Sequence, residues 1–152
     1  MTPPNARLSK LFGLFESAGI DALFVSSWPN VTYLSGFKGT ESWILVSPKG
    51  LFFITDSRYS EQAEEEAKGF KVILRDKKSV VEIAGDLVGE VGTRSLGFVS
   101  EIVTHAFYRS LEKAVGAERL KPVSPLVEDL RLIKDAEEIR RIQKSADIAV
   151  KG

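Results

Sequence analysis

The spacing of apolar residues divides the chain into short alternating elements. Leu8, Leu11, Phe12 and Phe15 recur at i, i+3, i+4 and i+7, which lays one apolar stripe along a helix that follows Pro3-Pro4 and an Asn5 cap and ends near Gly19. Ala22–Val25 is an unbroken apolar run between Asp21 and Ser26-Ser27, the pattern of a strand covered on both faces. Trp28-Pro29 then interrupts the chain, and Asn30–Leu34 predicts a single helical turn before Gly36. Trp43–Val46 and Leu51–Ile54 are β-rich runs joined by Ser47-Pro48-Lys49-Gly50, whose Pro and Gly suit a type I turn, so the pair predicts a hairpin.

Ser57–Lys68 predicts a helix with an acidic outer face, and Phe70–Leu74 a strand. Ser79-x-x-Glu82 is a capping box for a helix with Val80, Ile83, Ala84 and Leu87 on one side, closed by Gly89 and Gly92. Leu96–Val99 predicts a strand, and Ala106–Val115 a helix that aligns Phe107, Leu111, Ala114 and Val115. Leu120–Val123 fits an edge strand, because Pro122 cannot donate a central ladder bond. From Pro125 the pattern is helical with a break near Lys134-Asp135. A second capping box, Asp135-x-x-Glu138, opens a helix carrying Ile139, Ile142, Ala146, Ala149 and Val150 on one face. Strands alternating with helices around one hairpin predict an α/β domain, a mixed sheet between helices.

Composition narrows the function. At 152 residues, 43% of them hydrophobic, the chain can build one core. Its 21 basic and 21 acidic residues cancel, so no cationic field of the kind that draws nucleic acid or anionic membrane is expected. No continuous apolar stretch is long enough for a membrane span or a secretory signal, and the absence of cysteine excludes thiolate chemistry. The expected compartment is the cytoplasm, and the Asn30-Val31-Thr32 match to a glycosylation acceptor is read as accidental.

Candidate chemistry is sparse. His105 is the only imidazole, no G-x-S-x-G elbow accompanies it, and Ser100 and Ser110 lie in unremarkable contexts. Glu61, Glu64 and Glu65 share a helical face without a histidine, and Glu64 precedes Lys68 in the favourable order for an ion pair, which reads as a solvated surface. No glycine pattern supports a phosphate loop. Thr55–Tyr59 joins the hairpin to a helix and groups a carboxylate, a guanidinium and a phenol. There Asp56 would cap the helix and Arg58 would either pair with an acid or receive a substrate carboxylate at a subunit boundary. Gly36–Glu41 is a glycine-bearing loop in which an exposed Phe37 would touch a partner and a buried one would anchor the loop.

Four stretches, in this order, resemble the N-terminal domain of the creatinase/prolidase/aminopeptidase P family, the Xaa-Pro peptidases. They are Gly19–Val25, Asn30–Phe37, Thr55–Tyr59 and Leu130–Ile139, the last similar to the family's L-R-x-I-K-x-x-x-E-I junction segment. The resemblance implies a mixed six-stranded sheet with flanking helices, described as a ribonuclease H-like motif, over residues 1–124. Residues 125–152 would then be junction helices leading to a C-terminal "pita-bread" catalytic domain. That absent domain would carry two divalent ions, manganese, cobalt or zinc, on Asp, His and Glu ligands. This portion would hold no cofactor, no metal ligand and no catalytic residue, and would not hydrolyse peptides alone.

By the same resemblance the implied partners are the chain's own catalytic domain, a second copy in a homodimer, and proline-containing peptides that reach the full-length enzyme. The substrate-facing residues implied are Phe37, Lys38, Arg58 and Tyr59, which would restrict access rather than supply chemistry. Two other function classes fit the residues: a stand-alone α/β module that binds another ligand or protein, and a metal-independent enzyme using His105 or Arg58.

Overall fold

A computed structural model describes residues 5–151, the side chain of Lys151 excepted. The predicted Pro3-Pro4 lead-in lies outside the described residues. Asn5 caps the first helix as expected, its Oδ1 accepting from Leu8 N at 2.9 Å. That helix is not continuous. It runs as α1 (Ala6–Gly13), breaks at Leu14, and resumes as α2 (Phe15–Ala18), because the Leu14 amide turns to the Leu11 carbonyl beside the poor helix former Gly13. The apolar stripe survives the break, and Leu8, Leu11 and Phe15 are all buried.

The sheet is mixed and six-stranded, as expected. Its strands are β1 (Ala22–Val25), β2 (Ser42–Ser47), β3 (Gly50–Thr55), β4 (Lys71–Leu74), β5 (Leu96–Val99) and β6 (Leu120–Val123), in the order β4-β3-β2-β1-β5-β6. The predicted hairpin is β2–β3, antiparallel from Ser42↔Thr55 to Ser47↔Gly50, and β2 also runs antiparallel to β1. The β3–β4, β1–β5 and β5–β6 pairs are parallel, which leaves the proline-bearing β6 at an edge.

Period-two alternation divides β1 between two cores. Leu23 and Val25 join α1, α2 and the hairpin residues Ile44, Val46 and Phe53 on one face; Ala22 and Phe24 join Leu45, Phe52 and Ile54 on the other. The second face is covered by α5 (Val80–Val91) and α6 (His105–Val115), whose inward residues include Ile83, Leu87, Leu111 and Val115. The Ser79–Glu82 capping box that opens α5 forms as expected.

Other local expectations need correction. Trp28-Pro29 does not interrupt the chain; it opens α3 (Trp28–Ser35), because proline in a first turn forfeits no helical bond. The helix expected over Ser57–Lys68 is a 3-10 turn, Ser57–Tyr59, followed by a shorter α4 (Ser60–Glu66). With α4 ending early, Lys68 Nζ donates to the Glu64 carbonyl at 3.1 Å rather than forming the expected ion pair with its carboxylate. The C-terminal part is α7 (Leu126–Leu132) and α8 (Ala136–Lys151), broken where the sequence placed the break. In the second capping box Asp135 N donates to Glu138 Oε2 and Glu138 N to Asp135 Oδ1, both at 2.9 Å.

Candidate functional site

Two neighbouring regions near Gly36 gather most of the residues singled out in the sequence. The first is the loop from Gly36 to Glu41 with the turn that follows β3. Gly36 ends α3 in the left-handed conformation at φ 84°, which suits a residue without Cβ and turns the chain inward. Phe37 is 0% exposed. Its ring meets Phe53 edge-on at 4.8 Å between centroids and Tyr59 at 5.7 Å, so it anchors the loop and presents no face to a partner. Ser35 Oγ accepts the Phe37 amide at 3.2 Å, Glu66 Oε2 accepts the Lys38 amide at 2.8 Å, and Thr55 Oγ1 donates to the Glu41 carbonyl at 2.7 Å. Six residues without regular structure are thus tied at both ends.

Asp56 caps the turn after β3 by accepting from Arg58 N, and the Arg58 side chain folds back onto the same carboxylate, Nε to Oδ1 at 3.1 Å and Nη2 to Oδ2 at 2.6 Å. The two-pronged hydrogen bond from Arg58 holds the Asp56 carboxyl below its usual range, with the Arg58 amide adding to it, and Asp56 in turn raises the guanidinium. Of the two roles open to Arg58 in the sequence, the structure shows pairing with an acid. One edge of the guanidinium is occupied while the side chain stays 70% exposed.

The second region is a cleft of about 740 Å³ between α3, the start of α1 and the start of α8, whose lining includes Arg7, Thr32, Tyr33, Lys38, Arg131 and Asp135. Arg7 is its hub. The guanidinium lies 4.1 Å from the centre of the Tyr33 ring and donates to the Tyr33 carbonyl at 2.9 Å and to Asp135 Oδ2 at 2.8 Å, with Glu138 at 3.4 Å. Beneath it, buried Asn30 donates to Glu128 Oε1 at 2.6 Å and accepts from Arg131 Nη1 at 3.0 Å, while Tyr33 OH reaches the Leu130 carbonyl. The engaged Asn30 amide is closed to glycosylation. The Asp135 carboxyl falls to about 2, first through the Glu138 amide and then through Arg7.

The four residues expected to face substrate therefore separate. Phe37, Tyr59 and Arg58 cluster at the loop and turn, and Lys38 lines the cleft with Arg7 and Arg131. Reading the sequence missed Arg7, Thr32 and the Asn30–Arg131 lock; the available signal was an amide amid the apolar residues of α3. His105 is exposed on the first turn of α6, and Ser110 Oγ donates to the Ala106 carbonyl, so no hydroxyl–imidazole pair forms among the described residues. No three His, Asp or Glu side chains among the described residues converge to hold a metal ion. The residues present do not fit a two-ion centre, and no chemical step passes through one here.

The quoted sequence stretches prove to be latches between elements. Asp21 accepts from the Arg94 and Ser95 amides and so joins the start of β1 to the start of β5; Thr55 and Asp56 fix the loop and turn; Arg131 fixes α7 to α3. The mixed six-stranded sheet flanked by helices, tied together by these latches, is the fold of a known domain family. The chain belongs to the Creatinase/Prolidase N-terminal domain family, matched over residues 7–133.

The protein is 38% identical over 143 residues to an uncharacterized peptidase, YqhT, of Bacillus subtilis, an alignment covering 94% of this chain and 40% of that protein. The solved Xaa-Pro dipeptidase from Bacillus anthracis superposes with a TM-score of 0.83 at 35% identity, over 88% of this chain and 37% of that one. The N-terminal domain of the cytoplasmic peptidase PepQ from Mycobacterium tuberculosis gives 0.75 at 34%, over 83% and 98%. The chain spans about 40% of the length of the curated relatives it matches. Among the described residues no helix is long and apolar enough to cross a membrane.

Proposed function

We propose that this chain is the noncatalytic part of a cytoplasmic, metal-dependent Xaa-Pro peptidase of dipeptidase or aminopeptidase type, contributing to a homodimer and limiting which proline-containing peptides reach the active site. The observation that carries the reading is the near-complete coverage of the chain by proteins named as such peptidases, at two fifths of their length. Two divalent ions would sit in the remaining portion, which alone would supply hydrolysis. The Gly36–Glu41 loop, positioned by buried Phe37 and flanked by Tyr59 and Arg58, would stand at the rim of a neighbouring active site, narrowing it and excluding water without donating a catalytic group.

The experiment compares the 152-residue chain with the product of the longer reading frame, assayed on Xaa-Pro dipeptides and X-Pro-Y peptides with manganese. The long protein is expected to turn over and to lose activity on chelation, and the short chain to be inactive. In the long protein Arg58→Met should shift KM or peptide-length preference with metal content unchanged. Hydrolysis by the short chain at a comparable rate overturns the assignment, and a long protein with unchanged KM and length preference removes Arg58 from the rim.

A further inference from the structure

We propose that Arg7 is a positioning residue, the catch that fixes the direction of α8 and, through it, the placement of the portion that would follow α8. The helix has little else to hold it. None of its described side chains is buried, only Glu138 is half-buried, and none belongs to either core. The link that leads into it is bare as well: Leu132 and Ile133 are 69% and 79% exposed, and Ile133 is extended at ψ 108°. Among the described residues, every hydrogen bond or ion pair that joins α8 or its cap Asp135 to an earlier element runs through the Arg7 guanidinium.

The catch is built from both sides. On the body side, Arg7 Nη1 donates to the Tyr33 carbonyl at 2.9 Å and the guanidinium lies 4.1 Å from the centre of the Tyr33 ring, so α3 orients the arginine. On the helix side, the capping box uses one oxygen of each carboxylate. Asp135 Oδ1 accepts from the Glu137 and Glu138 amides, and Glu138 Oε2 accepts from the Asp135 amide. The two oxygens left over meet the same arginine, Asp135 Oδ2 at 2.8 Å and Glu138 Oε1 at 3.4 Å from Nη2. A serine or threonine cap would satisfy the helix end without offering that second acceptor; an acidic box offers two.

The place of the catch gives it a role. Tyr33 lies in the last turn of α3, just before Gly36 launches the Gly36–Glu41 loop, and Asn5 Nδ2 donates to the adjoining Leu34 carbonyl at 2.9 Å. The start of α1 therefore ties α8 to the same turn that sets the loop. Because α8 adds no residue to either core, its contact with Arg7 is not needed to complete the core. It selects one orientation of a helix that is otherwise free to swing about Ile133-Lys134.

The chain has no cysteine, so cysteine pairs can be introduced and spin-labelled without interference. One pair, Lys113→Cys on α6 with Lys144→Cys on α8, reads the direction of the helix. A second, Lys10→Cys with Lys113→Cys, lies wholly on the body; all three side chains are exposed. In the 152-residue chain the α8 pair should give a narrow distance distribution that broadens about twofold with Arg7→Met and at raised salt, while the body pair keeps its width. Asp135→Asn, which caps a helix as well as aspartate does and removes only the charge, should broaden the α8 pair by a smaller factor. Adding it to Arg7→Met should broaden it no further. Arg7→Lys, a cation without the fork, should restore part of the narrowing. An α8 pair that ignores Arg7→Met and Asp135→Asn, or a body pair that broadens in parallel, overturns the proposal. The effect on the longer protein rests on the peptidase reading: there Arg7→Met should raise KM about threefold or shift peptide-length preference with metal content unchanged. An inactive long protein would end that reading while the distances still decide the catch, and an active one with unchanged KM and length preference would overturn the reach of the catch beyond α8.

Discussion

Arg131 Nη1 donates to Asn30 Oδ1 at 3.0 Å, joining α7 to α3 across 101 residues of sequence, and the same amide donates through Nδ2 to Glu128 Oε1 at 2.6 Å. A single side chain, 1% exposed, serves as donor to one face of α7 and acceptor to its neighbour. Asn30→Ala leaves a carboxylate and a guanidinium without partners in a half-buried setting, for which a loss of about 2 kcal/mol is expected. Arg131→Met removes only one bond and should cost about 1 kcal/mol. Urea unfolding of both single variants and the double variant checks this. A double variant equal to the sum of the singles would show that the pair is not coupled.

Asp135 gives a pH dependence with a defined sign. Its carboxyl titrates near 3.8 when unperturbed and at about 2 in the fold, so the folded state favours the ionised form. The contribution is fully present above pH 4 and fades as the pH drops toward 2, where protonation releases the Arg7 contact and weakens the cap of α8. Helicity and amide protection of α8 should therefore fall between pH 4 and 2 ahead of the sheet. Asp135→Asn should remove that phase, and raised salt should shrink it, since both partners are partly exposed. If Asp135 titrates at its ordinary value by carboxyl NMR, the latch does not form in solution.

Gly39 lies against the aromatic anchor of the loop. A Cβ there would sit 2.6 Å from Phe37 Cε1 and 3.0 Å from Tyr59 Cε1, closer than side chains tolerate. Gly39→Ala should destabilise the domain by about 1–3 kcal/mol through displacement of two packed rings. Phe37→Ala should cost about 3–5 kcal/mol by leaving a cavity against Phe53. Phe37→Leu, which refills part of the space, should cost less than Phe37→Ala. Thermal denaturation of the three variants orders these effects, and a neutral Gly39→Ala would place the loop away from the rings.

Periodicity and caps made the core legible. The runs at Ala22, Trp43, Leu51 and Leu96 are dense enough in apolar residues to be strands, and Ser79 and Asp135 announce their helices with reciprocal boxes. Element boundaries were less legible where backbone chemistry competes with the pattern: Gly13 interrupts a helix whose apolar stripe continues, and Pro29 opens a helix that its reputation as a breaker would deny. The site was least visible. Arg7, Tyr33, Asn30 and Arg131 lie far apart in sequence, and only the fold brings them together. Lys38 was singled out for its loop, yet it lines the cleft that Arg7 and Arg131 also line, and Arg58 does not.

The last helix presents an apolar face with little to cover it. Ile139 and Ile142 are 56% and 57% exposed and Val150 87%, on the stripe that the sequence drew along α8. In the 152-residue chain, changing Ile139 and Ile142 to serine should alter the unfolding free energy by no more than about 1 kcal/mol, because each side chain keeps more than half of its surface in water. In the longer protein proposed above, where a following portion would cover this face, the same pair should cost about 3 kcal/mol or more, the scale for burying two isoleucines. A stripe that instead pairs with a second copy would make the short chain dimerise and its thermal midpoint rise with concentration, and the serine pair would abolish both. Sedimentation and unfolding of the two lengths separate these results, and equal small effects in both lengths with no dimer would mean that the face stays open to solvent.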